Sequence, residues 1–147
     1  MKSQLWRGGN SHAIAILRAA SINQADPEAS FRNQDIAVRS YARANDLRLP
    51  DESIARVIEP GLRFKGSQRE YFIKLAVRKK IRHVIFEQRS RFERNLASDE
   101  WCSDLILANK IVLHFVKKKC VVYTDGECVV MEVAGSFELI KSFKGET

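Results

Sequence analysis

Short apolar runs alternate with segments of helical spacing along this chain, and that alternation restricts the possible fold more than any other feature. The apolar runs lie at 12–17, 54–58, 83–86 and 111–116. Between them, apolar residues recur three or four positions apart over 30–44, 69–80 and 98–109, which is the spacing of one helix face. Strands that alternate with helices predict an α/β domain with a central, mostly parallel sheet flanked by helices. Ser30 is predicted to cap the first helix.

The size and composition of the chain indicate one globular domain. It has 147 residues, 45% of them hydrophobic, which is enough to form a sizeable core. Its three cysteines form no CxxC pair, so neither a disulfide scaffold nor a structural zinc site is expected. The first ten residues lack the apolar stretch of a signal peptide, and no apolar run is long enough for a membrane helix. We therefore predict a cytoplasmic protein without metal or membrane.

The positive charge is concentrated in one part of the sequence. The formal net charge is +7, a balance that favours polyanionic partners, nucleic acid first. Residues 63–94 contain eleven lysines and arginines against three glutamates. A charge excess confined to one segment favours a phosphate-facing surface, although a solvated basic surface remains the alternative.

The C-terminal segment is open to two interpretations. Asp125-Gly126 between β-branched runs suits a hairpin turn, whereas Thr124 and Glu127 have the spacing of a helix capping box. Beyond them, Val130, Val133, Ala134, Phe137 and Ile140 keep helical spacing. The pattern alone favours neither structure.

Four sequence blocks follow one another at distinctive spacings. They are Ile16–Ser21, Ser30–Gln34, Glu59–Arg69 and Ser90–Asn95. In order and spacing they resemble the catalytic domain of the serine recombinase (resolvase/invertase) family. The resemblance covers about residues 12–145. It implies a resolvase-like three-layer domain over 12–123, preceded by a flexible lead-in over 1–11 and followed by the start of a dimerisation helix over 124–147.

The resemblance also implies a chemistry. In this family a serine hydroxyl attacks a DNA phosphate and leaves a phosphoserine link, without metal or other cofactor, so that arginines must stabilise the charge. The matching positions are Arg18, Arg69, Arg91 and Arg94, with Gln34 in a supporting polar role. Arg63, Lys65 and Arg89 lie near these positions in sequence and are predicted DNA contacts. His12, His83 and His114 fall in strand-like runs and are predicted to be structural.

Several positions depart from the family pattern. The nucleophile position falls on Ala20, and Ser21 beside it is the candidate catalytic serine. On a regular strand Ser21 would point to the opposite face, so it could serve only if the strand has already ended or a bulge turns its side chain. Ser90 replaces the acidic residue before Arg91, and Arg63-Phe64 replace a Ser-Gly pair. The arginines for phosphate binding are therefore kept, while the groups that make and move the bond are altered.

Three hypotheses follow for the function. The first is the catalytic domain of a site-specific DNA recombinase that acts as a homodimer or tetramer on DNA, with no separate DNA-binding module before Thr147. The second is a catalytically inactive relative that holds DNA or a partner recombinase. The third is an unrelated α/β phosphate- or nucleotide-binding domain, which the absence of a glycine-rich phosphate loop disfavours.

Overall fold

A computed structural model describes residues 6, 11–19, 27–58, 67–86, 100–117, 119–133 and 136–142. The helices are α1 (Pro27–Ala44), α2 (Ser67–Arg78) and α3 (Glu100–Asn109). The strands are β1 (Ala13–Ala19), β2 (Ile54–Ile58), β3 (His83–Phe86), β4 (Val112–Phe115), β5 (Cys120–Thr124), β6 (Cys128–Val133) and β7 (Ser136–Ser142). A single 3₁₀ turn over Asp51–Ser53 precedes β2.

The described strands form one mixed sheet in the order β2-β1-β3-β4-β5-β6-β7. The first four are parallel to one another, and consecutive ones are joined by crossovers that each contain a helix. The crossover from β2 to β3 passes β1, which lies between them in the sheet. The last three are antiparallel and follow β4 as a meander. The predicted α/β class and the parallel part of the sheet are thus confirmed.

Helices cover both faces of the sheet. On one face, α2 and α3 pack against alternate residues of β1, β3 and β4; the buried side chains are Ile14, Ile16, Val84, Leu113, Phe115, Ile73, Ala76 and Ile106. On the other face, α1 packs against the intervening residues; the buried side chains here are Ala13, Ala15, Leu17, Ile85, Phe31, Val38 and Ala42. Burial on both faces explains why these strands read as continuous apolar runs.

A left-handed residue follows each of the three described helices. The residue after each helix or its last turn has a positive φ, namely Asp46 (58°), Lys80 (60°) and Lys110 (57°). This left-handed residue turns the chain, so that an apolar residue can bond back to the helix. The Leu47 N–H donates to the Ala42 carbonyl and the Ile81 N–H to the Ala76 carbonyl, both at 2.8 Å. Such short connections lead each helix directly into the next part of the sheet.

From β1 to β4, the predicted elements agree with the structure except at some ends. The strands over 54–58 and 83–86 have the predicted bounds. The prediction that Ser30 caps the first helix is wrong, because α1 begins at Pro27 and Ser30 lies in its first turn. Proline suits the first position of a helix, where its fixed φ is helical and its missing N–H has no partner to lose.

The predicted dimerisation helix over 124–147 is wrong where the structure describes this segment. Residues 128–133 and 136–142 are strands β6 and β7. Val129, Met131 and Val133 pack on the α2–α3 side, whereas Val130 belongs to the cluster on the opposite face. The β-branched residues on both faces of β6 favour a strand. The predicted homodimer or tetramer stays a prediction.

The turn between β5 and β6 uses the residues that suggested a helix cap. The Thr124 hydroxyl donates to the Cys128 carbonyl at 2.7 Å and accepts the Gly126 N–H at 3.0 Å. The Asp125 Oδ1 accepts the N–H groups of Glu127 (3.0 Å) and Cys128 (2.9 Å). Gly126 has a φ of 106°, which a side chain would strain. These bonds close a hairpin instead of starting a helix.

The N-terminal segment contributes to the core at Trp6, inside the predicted flexible lead-in. Trp6 is 3% exposed and clusters with Val112 and Tyr123 on the α1 face of the sheet. At this residue the lead-in is part of the packed protein. None of the helices among the described residues is long and apolar enough to span a membrane.

Candidate phosphate-binding edge and a buried histidine network

The strand order creates a crevice at the carboxyl ends of the parallel strands. β1 lies between β2 and β3, so the connection from β1 runs toward β2 while the connection from β3 runs the opposite way, toward β4. In open α/β sheets, ligands bind outside the carboxyl ends of the strands at such a switch point. We call this region the carboxyl edge; it is defined by the ends of β1, β2 and β3 at Ala19, Ile58 and Phe86.

Arg18 lies at the carboxyl edge. It is the second-last residue of β1 and pairs in register with Val57 of β2, one pair before Ala19 and Ile58. Ala20 and Ser21 come directly after β1 and lie outside the described residues. The predicted contrast between the strand faces of Ala20 and Ser21 therefore stays a prediction.

The backbone of Arg69 lies at the same edge. Arg69 is the third residue of α2, whose other end leads through Ile81 into the amino end of β3. The first turn of α2 is therefore near the carboxyl ends of the strands. The other predicted cations lie outside the described residues, in the connections that follow β2 and β3: Arg63, Lys65, Arg89, Arg91 and Arg94.

Gln34 is inside the protein rather than on its surface. Its side chain is 3% exposed, and on α1 it lies between the core residues Phe31 and Val38. Since α1 ends near the amino end of β1, where Arg48 bridges His12, its first half lies toward the carboxyl edge. The position suits the predicted supporting role, because a buried amide can hold neighbouring polar groups in place.

One arginine of α1, Arg39, forms ion pairs with carboxylates. The Arg39 guanidinium bonds Asp35 at 2.5 Å and Asp51 at 2.7 Å, and Arg56 lies 3.5 Å from the second oxygen of Asp35. The hydrogen bonds to Asp35 and then Asp51 raise the pKa of Arg39. This group joins α1 to the segment before β2 and is a structural contact.

A buried histidine network crosses β3 and β4 on the α1 face. The His83 Nδ1 lies 2.9 Å from the His114 Nε2, and the His114 Nδ1 lies 2.6 Å from the Tyr41 hydroxyl. His83 is 1% exposed and His114 is fully buried. Trp6 meets both rings edge-on, with centroids 6.0 Å and 5.0 Å away.

The network is satisfied with both imidazoles neutral. If Tyr41 donates to His114, then His114 donates to His83; the reverse order satisfies the same three groups. Both ring nitrogens of His114 are occupied in either case. Among the described residues no group of three metal-ligating side chains occurs. The prediction of structural roles for His83 and His114 agrees with this burial, but sequence reasoning missed their pairing.

No protein-family model, curated protein or solved structure matches the chain.

Proposed function

We propose that this protein is a serine-recombinase-like domain that binds the phosphodiester backbone of DNA at the carboxyl edge and does not cleave it. The observation that carries the proposal is the convergence of Arg18 and the first turn of α2 on one edge of the sheet. The sequence blocks that resemble the recombinases supply the residues at that edge. We extend the proposed binding site to Arg91 and Arg94, which follow β3 in sequence.

Arginine suits this role because of its shape and its constant charge. A guanidinium can donate two parallel hydrogen bonds to the oxygens of a phosphate. Several such groups around one crevice would neutralise a phosphodiester without a metal ion. Contacts of this kind do not distinguish bases, so that binding is expected to be nonspecific in sequence and to weaken with salt.

Cleavage requires an oxygen nucleophile. The position at which the family has its serine is occupied by Ala20 in this chain. In the family reaction the serine oxygen bonds to phosphorus, the bond to the 3′ oxygen breaks, and that oxygen leaves with a proton. Arginines stabilise the charge of this transition state but cannot replace the nucleophile. Ser90 in place of an acid removes a group that could move the proton.

Fluorescence anisotropy with a labelled duplex tests the binding site. R69Q, R91Q and R94Q should each weaken binding and reduce the slope of log affinity against log salt by about one. R43Q is the matched control, because Arg43 is an exposed cation in the last turn of α1, remote from the carboxyl edge. Equal losses in R43Q and the other three variants would show that only net charge matters and would overturn the proposal.

A further inference from the structure

A second basic region lies at the opposite edge of the sheet. A cleft of about 270 Å³ is lined by Val77, Lys80, Ile81, Arg82, Asn109 and Ile111. These residues belong to the ends of α2 and α3 and to the segments that enter β3 and β4. We call it the amino-edge cleft. The length of the parallel strands separates it from the carboxyl edge.

Arg82 is held in the wall of this cleft. Its Nε donates to the Lys110 carbonyl at 3.2 Å, which restricts the orientation of the guanidinium plane. The side chain is partly buried, and this burial lowers the pKa of Arg82. A partly desolvated cation gains more from a bound anion than an exposed one does, since less water competes for its charge.

Two lysines near Arg82 have a left-handed backbone conformation, which residues with a side chain rarely adopt. Lys80 and Lys110 have φ values of 60° and 57°, in the left-handed region where glycine is usual. Cations at helix ends favour the helix dipole. However, the equivalent residue after α1 is Asp46, so the fold does not require a cation at this position. The positive charge is particular to the ends of α2 and α3.

The segments around the cleft contain no acidic residue. Residues 77–83 and 109–112, all described, include Arg78, Lys79, Lys80, Arg82 and Lys110 and neither Asp nor Glu. This local excess of positive charge attracts an anion. The apolar floor formed by Val77, Ile81 and Ile111 limits water on one side of the cleft.

We propose that the amino-edge cleft is a second, independent phosphate-binding site, in which the Arg82 guanidinium and the Lys80 ammonium bind phosphate oxygens. Arg82 supplies directed hydrogen bonds and Lys80 a mobile point charge. The phosphate belongs to a nucleic-acid backbone or to a small phosphorylated molecule, since the same oxygens are presented by both. The site does not depend on binding at the carboxyl edge.

Heteronuclear NMR of the full chain tests this site residue by residue. Inorganic phosphate, a mononucleotide and a short DNA duplex are titrated separately at constant ionic strength, with sodium chloride as the reference. We expect saturable shifts of the Lys80, Arg82 and Lys110 amides and of the Arg82 Nε–H with phosphate. Competition between duplex and phosphate for these signals would assign the site to a nucleic-acid backbone. Shifts with phosphate and mononucleotide alone would assign it to a small phosphorylated molecule.

Variants separate this site from the carboxyl edge. R82Q and K80Q should each weaken phosphate binding by about tenfold, the effect of one charged hydrogen bond. R43Q, at the same sheet edge but on α1, should not. K80Q leaves the bond between Arg82 and Lys110 in place, so it remains informative if R82Q fails to fold. R69Q should leave the cleft shifts unchanged even where it abolishes carboxyl-edge binding. Shifts no larger than those with sodium chloride, or unchanged binding in K80Q, would overturn the proposal.

Discussion

The His83 Nδ1 lies 2.9 Å from the His114 Nε2, and this bond joins β3 to β4 through side chains as well as through the sheet. The two rings are diagonal neighbours on one face, where His83 pairs in register with Val112 and His114 with Ile85. With Tyr41 they form a chain from helix α1 across two strands. A polar chain of this kind fixes the packing of α1 on the sheet because each buried group needs its partner.

Removal of the His114 ring, the middle group of this chain, should therefore lower the stability of the protein. H114A deprives Tyr41 and His83 of a partner and leaves a cavity, so it should lower the free energy of unfolding by about 3 kcal/mol. Y41F removes one hydrogen bond and should cost about 1 kcal/mol. I36A is the control, since Ile36 is 62% exposed on the same helix. Urea unfolding measures all three; equal effects of H114A and I36A would contradict a role for the network.

Trp6 provides a test of the N-terminal segment. Its ring is buried against both histidines, so W6A should cost about 3 kcal/mol or more of stability. W6F keeps an aromatic ring over the network and should lose less. Thermal unfolding followed by circular dichroism is suitable. Unchanged melting in W6A would show that residues 1–11 are a flexible lead-in after all.

Tyr123 should make the protein less stable in strong alkali. Burial, reinforced by the negative charges of Glu132 and Asp125 and by a hydrogen bond to Glu132, raises the pKa of Tyr123 to about 12. The unfolded phenol loses its proton near pH 10. As pH rises from about 10 to about 12, the unfolded state binds fewer protons than the folded state, so stability falls, by about 2–3 kcal/mol in total.

Comparison with Y123F isolates this effect from the other groups that titrate at high pH. Unfolding free energies are measured by urea between neutral pH and pH 12 for both proteins. The difference between them should change in favour of Y123F as the pH rises. Parallel curves would contradict the raised pKa.

The hairpin turn can be distinguished from a helix by the sign of one substitution. G126A should destabilise the protein by roughly 1 kcal/mol, because Gly126 has a φ of 106° that alanine disfavours. In the helix that was first predicted, the same change would stabilise by about 1 kcal/mol. E127A, at an exposed position of the same turn, is the control. Stabilisation by G126A would argue for the helix.

The parallel core could be predicted from the sequence because its strands β1, β3 and β4 are buried on both faces. Apolar runs such as 83–86 therefore stand out against the polar connections, and the helices between them show clear helical spacing. β6 differs because only Val129 is buried while its other residues are partly buried, and Val130 and Val133 happen to lie three apart. That spacing is equally typical of a helix. The family resemblance favoured the helix over the hairpin, and this prediction was wrong.

The strand ends that define the carboxyl edge can be located from the apolar runs of the sequence, while the roles of the arginines near them stay predictions. The histidine network could not be predicted, because nothing in the sequence around His83 or His114 indicates the strand register that brings the two rings together. Only the parallel pairing of β3 with β4 sets the separation of their rings. The amino-edge cleft was missed for a related reason: Arg82 and Lys110 are 28 residues apart in sequence and meet only because the ends of α2 and α3 lie at the same edge of the sheet.

A covalent trap at the carboxyl edge tests the central claim most directly. DNA that carries a bridging phosphorothiolate is incubated with the unaltered protein, with A20S and with S21A, and adducts are resolved on a denaturing gel. We predict no adduct with the unaltered protein or S21A, and an adduct with A20S, which would place a DNA phosphate beside the end of β1. An adduct with the unaltered protein that disappears in S21A would contradict the account and identify Ser21 as the nucleophile.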